Sequence, residues 1–256
     1  MRADEPPCPR LGDSGYLILP RFITPAELHP LRASVDDLVN STRGEQCARP
    51  NNELVPLRWD SPLVAGVLRD DERTRRLAAA VDARDLRWIS GYVSVKQPRS
   101  LSLWWHQDWW CWDHPVSHER EAAQVALLCY LSDTGPRNGA LRVLPGSHRR
   151  SHPVHRALAE GHDDPAAGDD PGHEVMRDQP GQVTVGVRAG DAVVLDYRTL
   201  HGTHANTSDQ RRDALLLNFT PSWGRLPAEI RGHLVSHTAL PRADEVPTDD
   251  HPLAGL

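Results

Sequence analysis

Trp104-Trp105-His106-Gln107-Asp108-Trp109-Trp110-Cys111-Trp112 is the stretch on which the reading of this chain turns. Residues i and i+2 of a strand project from one face. On that geometry His106 and Asp108 aim at a common point. A neutral imidazole and a carboxylate are two of the three donors of a 2-His-1-carboxylate metal triad. The same pair recurs by chance in many chains, and the five indoles around it can equally be ordinary core, since each buries a large apolar area. A second histidine is therefore needed, together with something to hold a co-substrate.

Composition sets the frame. A chain of 256 residues can bury a sizeable core as one domain. It holds 29 Lys+Arg against 35 Asp+Glu, a net charge of −6, which argues against nucleic acid or an anionic membrane as the main partner. No secretory leader pattern opens the sequence, and no apolar run approaches a membrane span. Cys8, Cys47, Cys111 and Cys129 form no CxxC pair, so neither a zinc ribbon nor a disulfide framework is suggested, and a reducing cytoplasm fits.

Outward from the opening stretch, the pattern is that of short strands. Trp88 to Lys96 alternates, Leu101 to Trp105 leads into the His-x-Asp strand, and Gln124 to Leu131 is long and apolar. Asn138-Gly139 signals a tight turn before a strand from Ala140 to Leu144. Four more strands read as 183–187, 192–196, 200–205 and 212–219. Upstream, Gly15 to Leu19 reads as a short strand. Thr24-Pro25-Ala26-Glu27 carries an N-cap, a Pro at N1 and the Glu of a capping box. Leu28, Leu31, Val35, Leu38 and Val39 then repeat at helical spacing. Residues 41–62 read mostly as loop, 70–82 and 227–240 as helices, and 156–181 as a surface loop or lid. Many short strands with turns every 8–12 residues predict a mainly β sandwich or barrel with N-terminal α-helices. The expected layout is a single domain over 1–256, with a core of about 86–223 and loose tails at 1–13 and 241–256.

The second half of the site lies between Gly190 and Asn206, where His201 and His204 are rival candidates for the missing ligand. Arg212 opens a strand on which Arg212, Ala214, Leu216 and Asn218 share a face. A buried arginine needs an anion, because an unpaired internal charge is very costly. A small dicarboxylate would supply one through a bidentate contact. Arg211 then points the other way, toward solvent.

Taken together, His106-Gln107-Asp108, Asn138-Gly139-Ala140-Leu141-Arg142-Val143-Leu144-Pro145-Gly146-Ser147-His148, Gly190-Asp191, and Leu200-His201-Gly202 with Asn206 and Arg212 resemble the phytanoyl-CoA dioxygenase-like family. These are Fe(II)- and 2-oxoglutarate-dependent oxygenases on a double-stranded β-helix, a jelly-roll or cupin-like fold. The resemblance covers about Gly15 to Trp223. It places the distal metal ligand on His201 rather than His204. It places the arginine for the distal carboxylate of 2-oxoglutarate eleven residues later, on Arg212, and a helping hydroxyl on Thr203.

The resemblance also implies a co-substrate contact near Gln124, for which a structural hydrogen bond is the alternative. Lys96, alone in an apolar strand, either snorkels to the surface or faces the substrate or co-substrate. Trp105, Trp109, Trp110 and Trp112 are expected to wall a dry pocket, with Trp110 and Trp112 following His106 and Asp108 inward if the strand persists. His148 is expected to make a structural hydrogen bond.

The implied reaction consumes 2-oxoglutarate and O2, releases succinate and CO2, and hydroxylates a C–H bond of a small molecule. Asp108 argues for oxygenation over halogenation, because related halogenases lack this carboxylate. Two other classes compete: a non-redox metal cupin, such as an isomerase or hydrolase, which would need neither Arg212 nor Thr203, and a silent jelly-roll binding module. The indole-rich wall suggests an apolar or aromatic substrate body, a secondary-metabolite scaffold rather than an acyl-CoA, since no basic CoA-binding cluster is evident. Oligomeric state is not readable from the sequence.

Overall fold

The structure, a computed structural model, describes residues 10–42, 51–158 and 172–241. The outer parts of both expected tails, and the middle of the 156–181 segment, lie outside the described residues. Two antiparallel sheets face each other. The chain enters through a helical turn, α1 (Leu11–Ser14), then β1 (Tyr16–Leu19), α2 (Pro25–Ser41), β2 (Glu53–Leu57), α3 (Pro62–Leu68) and α4 (Asp71–Ala80). The strands β3 (Arg87–Lys96), β4 (Leu103–His106), β5 (Val125–Tyr130), β6 (Leu141–Val143), β7 (Val183–Val185), β8 (Ala192–Asp196), β9 (His201–Thr203) and β10 (Arg212–Thr220) follow, and α5 (Ala228–Val235) comes after them.

The larger sheet runs β1-β8-β5-β10-β3-β2 and the smaller β4-β9-β6-β7. Sequence neighbours are thus seldom sheet neighbours, as in a jelly roll. Two strands extend the larger sheet beyond the expected core. β1 pairs with β8, and β2 pairs with β3 along Glu53↔Val95 to Leu57↔Gly91. β2 lies inside a stretch expected to be loop; it is a short edge strand and carries Pro56, which only an edge tolerates.

α2 begins with the expected capping box: the Thr24 amide donates to Glu27 Oε2 at 2.9 Å. Its buried residues Leu28, Val35 and Val39 form one stripe. With α3 and α4 they cover the outer face of the larger sheet, where Val93, Val95, Leu127, Leu215, Leu217 and Phe219 are buried. The buried Arg73 of α4 ties the helices together, reaching Glu27 Oε1 at 2.6 Å and the Phe22 carbonyl at 2.9 Å. A second apolar cluster lies between the sheets, with Ala126, Tyr130, Leu141, Val143, Val193, Leu195 and Ala214. The inner ends of that sandwich are where polar side chains collect. Among the described residues no helix is long and apolar enough to cross a membrane.

Candidate metal centre

His106 is the last residue of β4, and His201 the first of β9; the two are register partners in the smaller sheet. Their imidazole centroids lie 4.1 Å apart. Nδ1 of His106 meets the Trp104 carbonyl at 2.9 Å, and Nδ1 of His201 meets the Thr199 carbonyl at 3.0 Å. A carbonyl only accepts, so both Nδ1 atoms carry the proton and both Nε2 atoms are left as donors toward a metal.

Asp108 completes the group, but not from the strand expected. β4 stops at His106, and Asp108 lies on the loop beyond it. The loop is pinned: the amides of Asp108 and Trp109 both donate to the Tyr197 carbonyl, at 2.9 and 3.0 Å. The carboxylate then stands with Oδ1 3.7 Å from His106 Nε2 and Oδ2 3.4 Å from His201 Nε2. One donor atom from each of the three residues lies within 4.8 Å of the others. Two imidazoles and one carboxylate, with no thiolate among them, suit a divalent iron that keeps open positions.

The turn that delivers His201 is built on a buried ion pair. Arg198 Nη2 meets Asp196 Oδ2 at 2.7 Å, and Arg198 Nη1 donates to the Ser117 and Glu119 carbonyls. Gln107 Nε2 donates to the Arg198 carbonyl, coupling this turn to the His-x-Asp loop. The other histidine candidate, His204, bonds Thr184 Oγ1 at 2.8 Å and is not part of the cluster. His148 bonds the Gly12 carbonyl at 3.4 Å.

A cavity of about 900 Å³ between the sheets contains the triad. Arg212 and Thr203 line its floor, with Tyr130 beside them. Arg212 is 2% exposed, and its Nε and Nη2 have no hydrogen-bond partner. Its guanidinium sits 5.6 Å from the Tyr130 ring centroid. Burial pushes the Arg212 pKa down and the Tyr130 pKa up. An orphaned guanidinium in a cavity is the signature of an anion site. Arg211, next in the chain, faces outward and pairs with Asp36 and Asp213.

The aromatic wall differs from expectation. Trp105 is fully buried on the face of β4 opposite His106: its Nε1 donates to the Arg177 carbonyl, and the Arg142 guanidinium lies 4.6 Å from its ring. Strand alternation, which points His106 inward, turns Trp105 outward, so it belongs to the framework and not to the substrate wall. Trp109 is buried against α5. Trp112 faces an outer cavity of about 1050 Å³ that adjoins the inner one, sharing Trp104, His106 and Trp110 with it, because the alternation ends with the strand at His106. Trp104 and Trp110 are the indoles that line the inner cavity.

Gln124 also lines the inner cavity, and its Oε1 accepts from Trp110 Nε1 at 3.1 Å. Lys96 does not face the substrate space or snorkel out: it is fully buried, and its Nζ donates to the Asn51 carbonyl at 2.7 Å and to the Leu101 carbonyl. The described part of the 156–181 segment is largely exposed, as expected of a surface loop, but Val175 and Met176 are buried against Leu103 and Trp104 of β4 and anchor it.

The sequence reading missed the polar wall facing the triad: Ser90 and Ser94 on β3, Asn218 on β10, and His233 on α5. Parity along β10 already placed Asn218 on the face of Arg212.

With this geometry in hand, the likeness to known proteins is informative. The sequence profile of the phytanoyl-CoA dioxygenase (PhyH) family matches residues 12–214. The chain is 28% identical over 239 residues to an L-proline trans-4-hydroxylase of Streptomyces griseoviridis, covering 82% of this chain and 84% of that protein. It is 28% identical over 179 residues to a probable alpha-ketoglutarate-dependent hypophosphite dioxygenase of Stutzerimonas stutzeri, covering 66% of this chain but only 60% of that protein's length.

Among solved structures, HygX from Streptomyces hygroscopicus with nickel and 2-oxoglutarate bound superposes with a TM-score of 0.62 at 21% identity, covering 82% of this chain and 84% of HygX. The non-heme alpha ketoglutarate dependent carbocyclase SnoK from nogalamycin biosynthesis superposes with a TM-score of 0.58 at 27% identity, covering 82% and 81%. The fold is the double-stranded β-helix that the sequence predicts.

Proposed function

The chain belongs to the phytanoyl-CoA dioxygenase family, and from that premise we propose an iron(II)- and 2-oxoglutarate-dependent oxygenase that hydroxylates a C–H bond of a small molecule. Relatives named for L-proline and ectoine oxidation support a small-molecule substrate, and the net charge of −6 speaks against nucleic acid. The free thiols of Cys111 and Cys129 fit the cytoplasm. The whole chain acts as one catalytic domain.

The observation that carries this reading is Arg212, a buried guanidinium with Nε and Nη2 unpartnered in the cavity that holds two imidazoles and a carboxylate. His106, Asp108 and His201 hold the iron. When bound, iron(II) with 2-oxoglutarate and O2 supplies an oxidative decarboxylation to succinate and CO2 and places one oxygen atom on the substrate. The rest is the work of this chain.

Arg212 takes the distal carboxylate of 2-oxoglutarate through its two unpartnered N–H groups, and the Thr203 hydroxyl adds a donor from β9. Gln124 keeps Trp110 against the cavity, so that indole surface limits water near the reacting carbon. The Asp196–Arg198 pair holds the turn from which His201 projects, fixing the ligand before the metal arrives.

The test is anaerobic titration with iron(II) and then 2-oxoglutarate, followed by calorimetry and by the weak visible charge-transfer band of a chelated 2-oxo acid. His201→Ala abolishes metal binding, whereas His204→Ala leaves it intact. Arg212→Met keeps the metal and weakens 2-oxoglutarate on the order of 100-fold, the scale of about 3 kcal/mol for an unmatched buried charge. Retention of the band in His201→Ala, or its loss in His204→Ala, sinks this assignment.

A further inference from the structure

Asn218 lies six residues along β10 from Arg212, on the same inner face. It is 4% exposed and lines the cavity that holds the triad. Its Nδ2 donates to Ser90 Oγ at 2.8 Å, while its Oδ1 is buried with no hydrogen-bond partner. A buried acceptor left unsatisfied costs about 1–3 kcal/mol. Where such an atom borders a ligand cavity, the natural partner is a ligand atom.

In this orientation the co-substrate is not that partner, because at neutral pH 2-oxoglutarate offers two carboxylates and a keto oxygen, all acceptors. A donor on the primary substrate, displacing water, fills the place. The two ends of an amide can also be interchanged. In that orientation Asn218 accepts from the Ser90 hydroxyl and turns its NH2 to the cavity, which then needs an acceptor. A hydroxyl satisfies both orientations, because it donates and accepts; an ammonium or a carboxylate satisfies only one.

The rest of the wall agrees. Among the described residues, Arg212 and Asp108 are the only Lys, Arg, Asp or Glu side chains lining this cavity, and the co-substrate and the metal claim both. The rest of the lining mixes apolar side chains such as Leu54, Ile89, Leu128 and Leu216 with hydroxyl, amide and imidazole groups. Asn52 pairs with Ser94 at 3.3 Å, and Tyr92 OH meets His237 Nε2 at 3.3 Å. Burial lowers the His237 pKa, keeping that imidazole uncharged. Trp104 and Trp110 offer flat apolar surface to the carbon face of a ring.

We propose that Asn218, backed by Ser90, binds a hydroxyl of the primary substrate, and that this substrate is a neutral small molecule with hydroxyl groups on a ring, rather than a zwitterion or a bare hydrocarbon. The inference rests on the oxygenase reading of the same cavity. It replaces the apolar body that the run of indoles suggested, since most of those rings face elsewhere.

The experiment uses the full chain loaded with Ni(II), a redox-silent substitute, and 2-oxoglutarate, whose binding is checked by calorimetry beforehand. Intrinsic tryptophan fluorescence, to which Trp104 and Trp110 contribute from the cavity wall, then reports binding without turnover. The probes are myo-inositol and methyl glucoside as neutral hydroxylated rings, L-proline and ectoine as zwitterions, and indole as an apolar ring. At least one hydroxylated ring binds, and Asn218→Leu weakens it tenfold or more. Unchanged 2-oxoglutarate binding by Asn218→Leu in the same calorimetry guards against a folding defect in that variant.

Binding of only the zwitterions or indole, absence of binding by every hydroxylated ring, or an Asn218→Leu affinity within twofold of wild type overturns the proposal. Failure of 2-oxoglutarate to bind in the preliminary calorimetry strikes the oxygenase reading instead; the same titration of the metal-free protein still decides the role of Asn218.

Discussion

Arg212 and Lys96 are register partners on β10 and β3, yet burial serves them differently. Arg212 ends in open space with two unmatched nitrogens; Lys96 ends on two backbone carbonyls. Burial first, then the charges of Arg212 and Arg142, lower the Lys96 pKa to about 7. Between about 7 and the ordinary lysine value of 10.5 the unfolded chain holds a proton that the folded chain does not, so stability rises with pH across that window. The gain is complete above 10.5 and absent below about 7. Comparing thermal midpoints of wild type and Lys96→Met from pH ~6.5 to ~9.5 tests this: the wild type gains on the variant as pH rises, and a constant gap refutes it. His106 and Asp108 stood out by their spacing and Arg212 by its place on an inner strand face, whereas the choice of His201 over His204 and the part given to Thr203 came from the family resemblance alone. Lys96 was not legible in either way. Its parity on β3 is inward, but nothing local shows that the turn at Gly139 closes over it, with φ +77° and a notional Cβ only 2.7 Å from Lys96 Cγ.

At the scale of elements, the site depends on how closely β4 and β9 approach. Gly202 follows His201, and a Cβ there would lie 2.7 Å from the Leu103 carbonyl oxygen and 2.8 Å from that of Trp104, both backbone atoms. Gly202→Ala therefore forces the strands apart. The expected cost is about 1–3 kcal/mol of stability, as for overpacking elsewhere, with a larger proportional loss of metal affinity, because the two imidazoles sit on the separated strands. Thermal melting and metal titration of the same variant check both parts; unchanged metal affinity would show that the strands tolerate the methyl. The strand pattern itself was largely readable from alternation and turns. Its ends were not: β4 stops at His106 because the following amides turn to the Tyr197 carbonyl, a partner far away in sequence. β2 and α3 were missed for want of length, since a handful of residues carries little periodicity.

Over the whole molecule, the two sheets divide the work. The smaller sheet and its loop carry His106, Asp108 and His201, and the larger carries Arg212, so on the proposed assignment a metal and 2-oxoglutarate would together fasten one sheet to the other. Ligands that bind the native state stabilise it by about 2.7 kcal/mol at a hundred times Kd. Ni(II) and 2-oxoglutarate are each expected to raise the melting temperature, and Arg212→Met keeps the Ni(II) shift while losing the 2-oxoglutarate increment; an increment that survives in the variant would remove Arg212 from the co-substrate site. The jelly-roll class was legible from the pattern and the family resemblance, but which wall meets the substrate was not, because that depends on segments folding back from the far end of the chain. The metal and co-substrate side chains lie between His106 and Arg212, inside the span of the family profile at 12–214, whereas Asn218, His233, Leu234 and 236–238 lie past it. One part of the cavity wall is thus written in a stretch of the gene that holds none of the proposed metal or co-substrate residues, while Ser90, Trp104 and Trp110 are interleaved with them. A library confined to that later stretch would vary part of the wall and leave the proposed oxidising residues as they are, a convenient starting point for directed evolution.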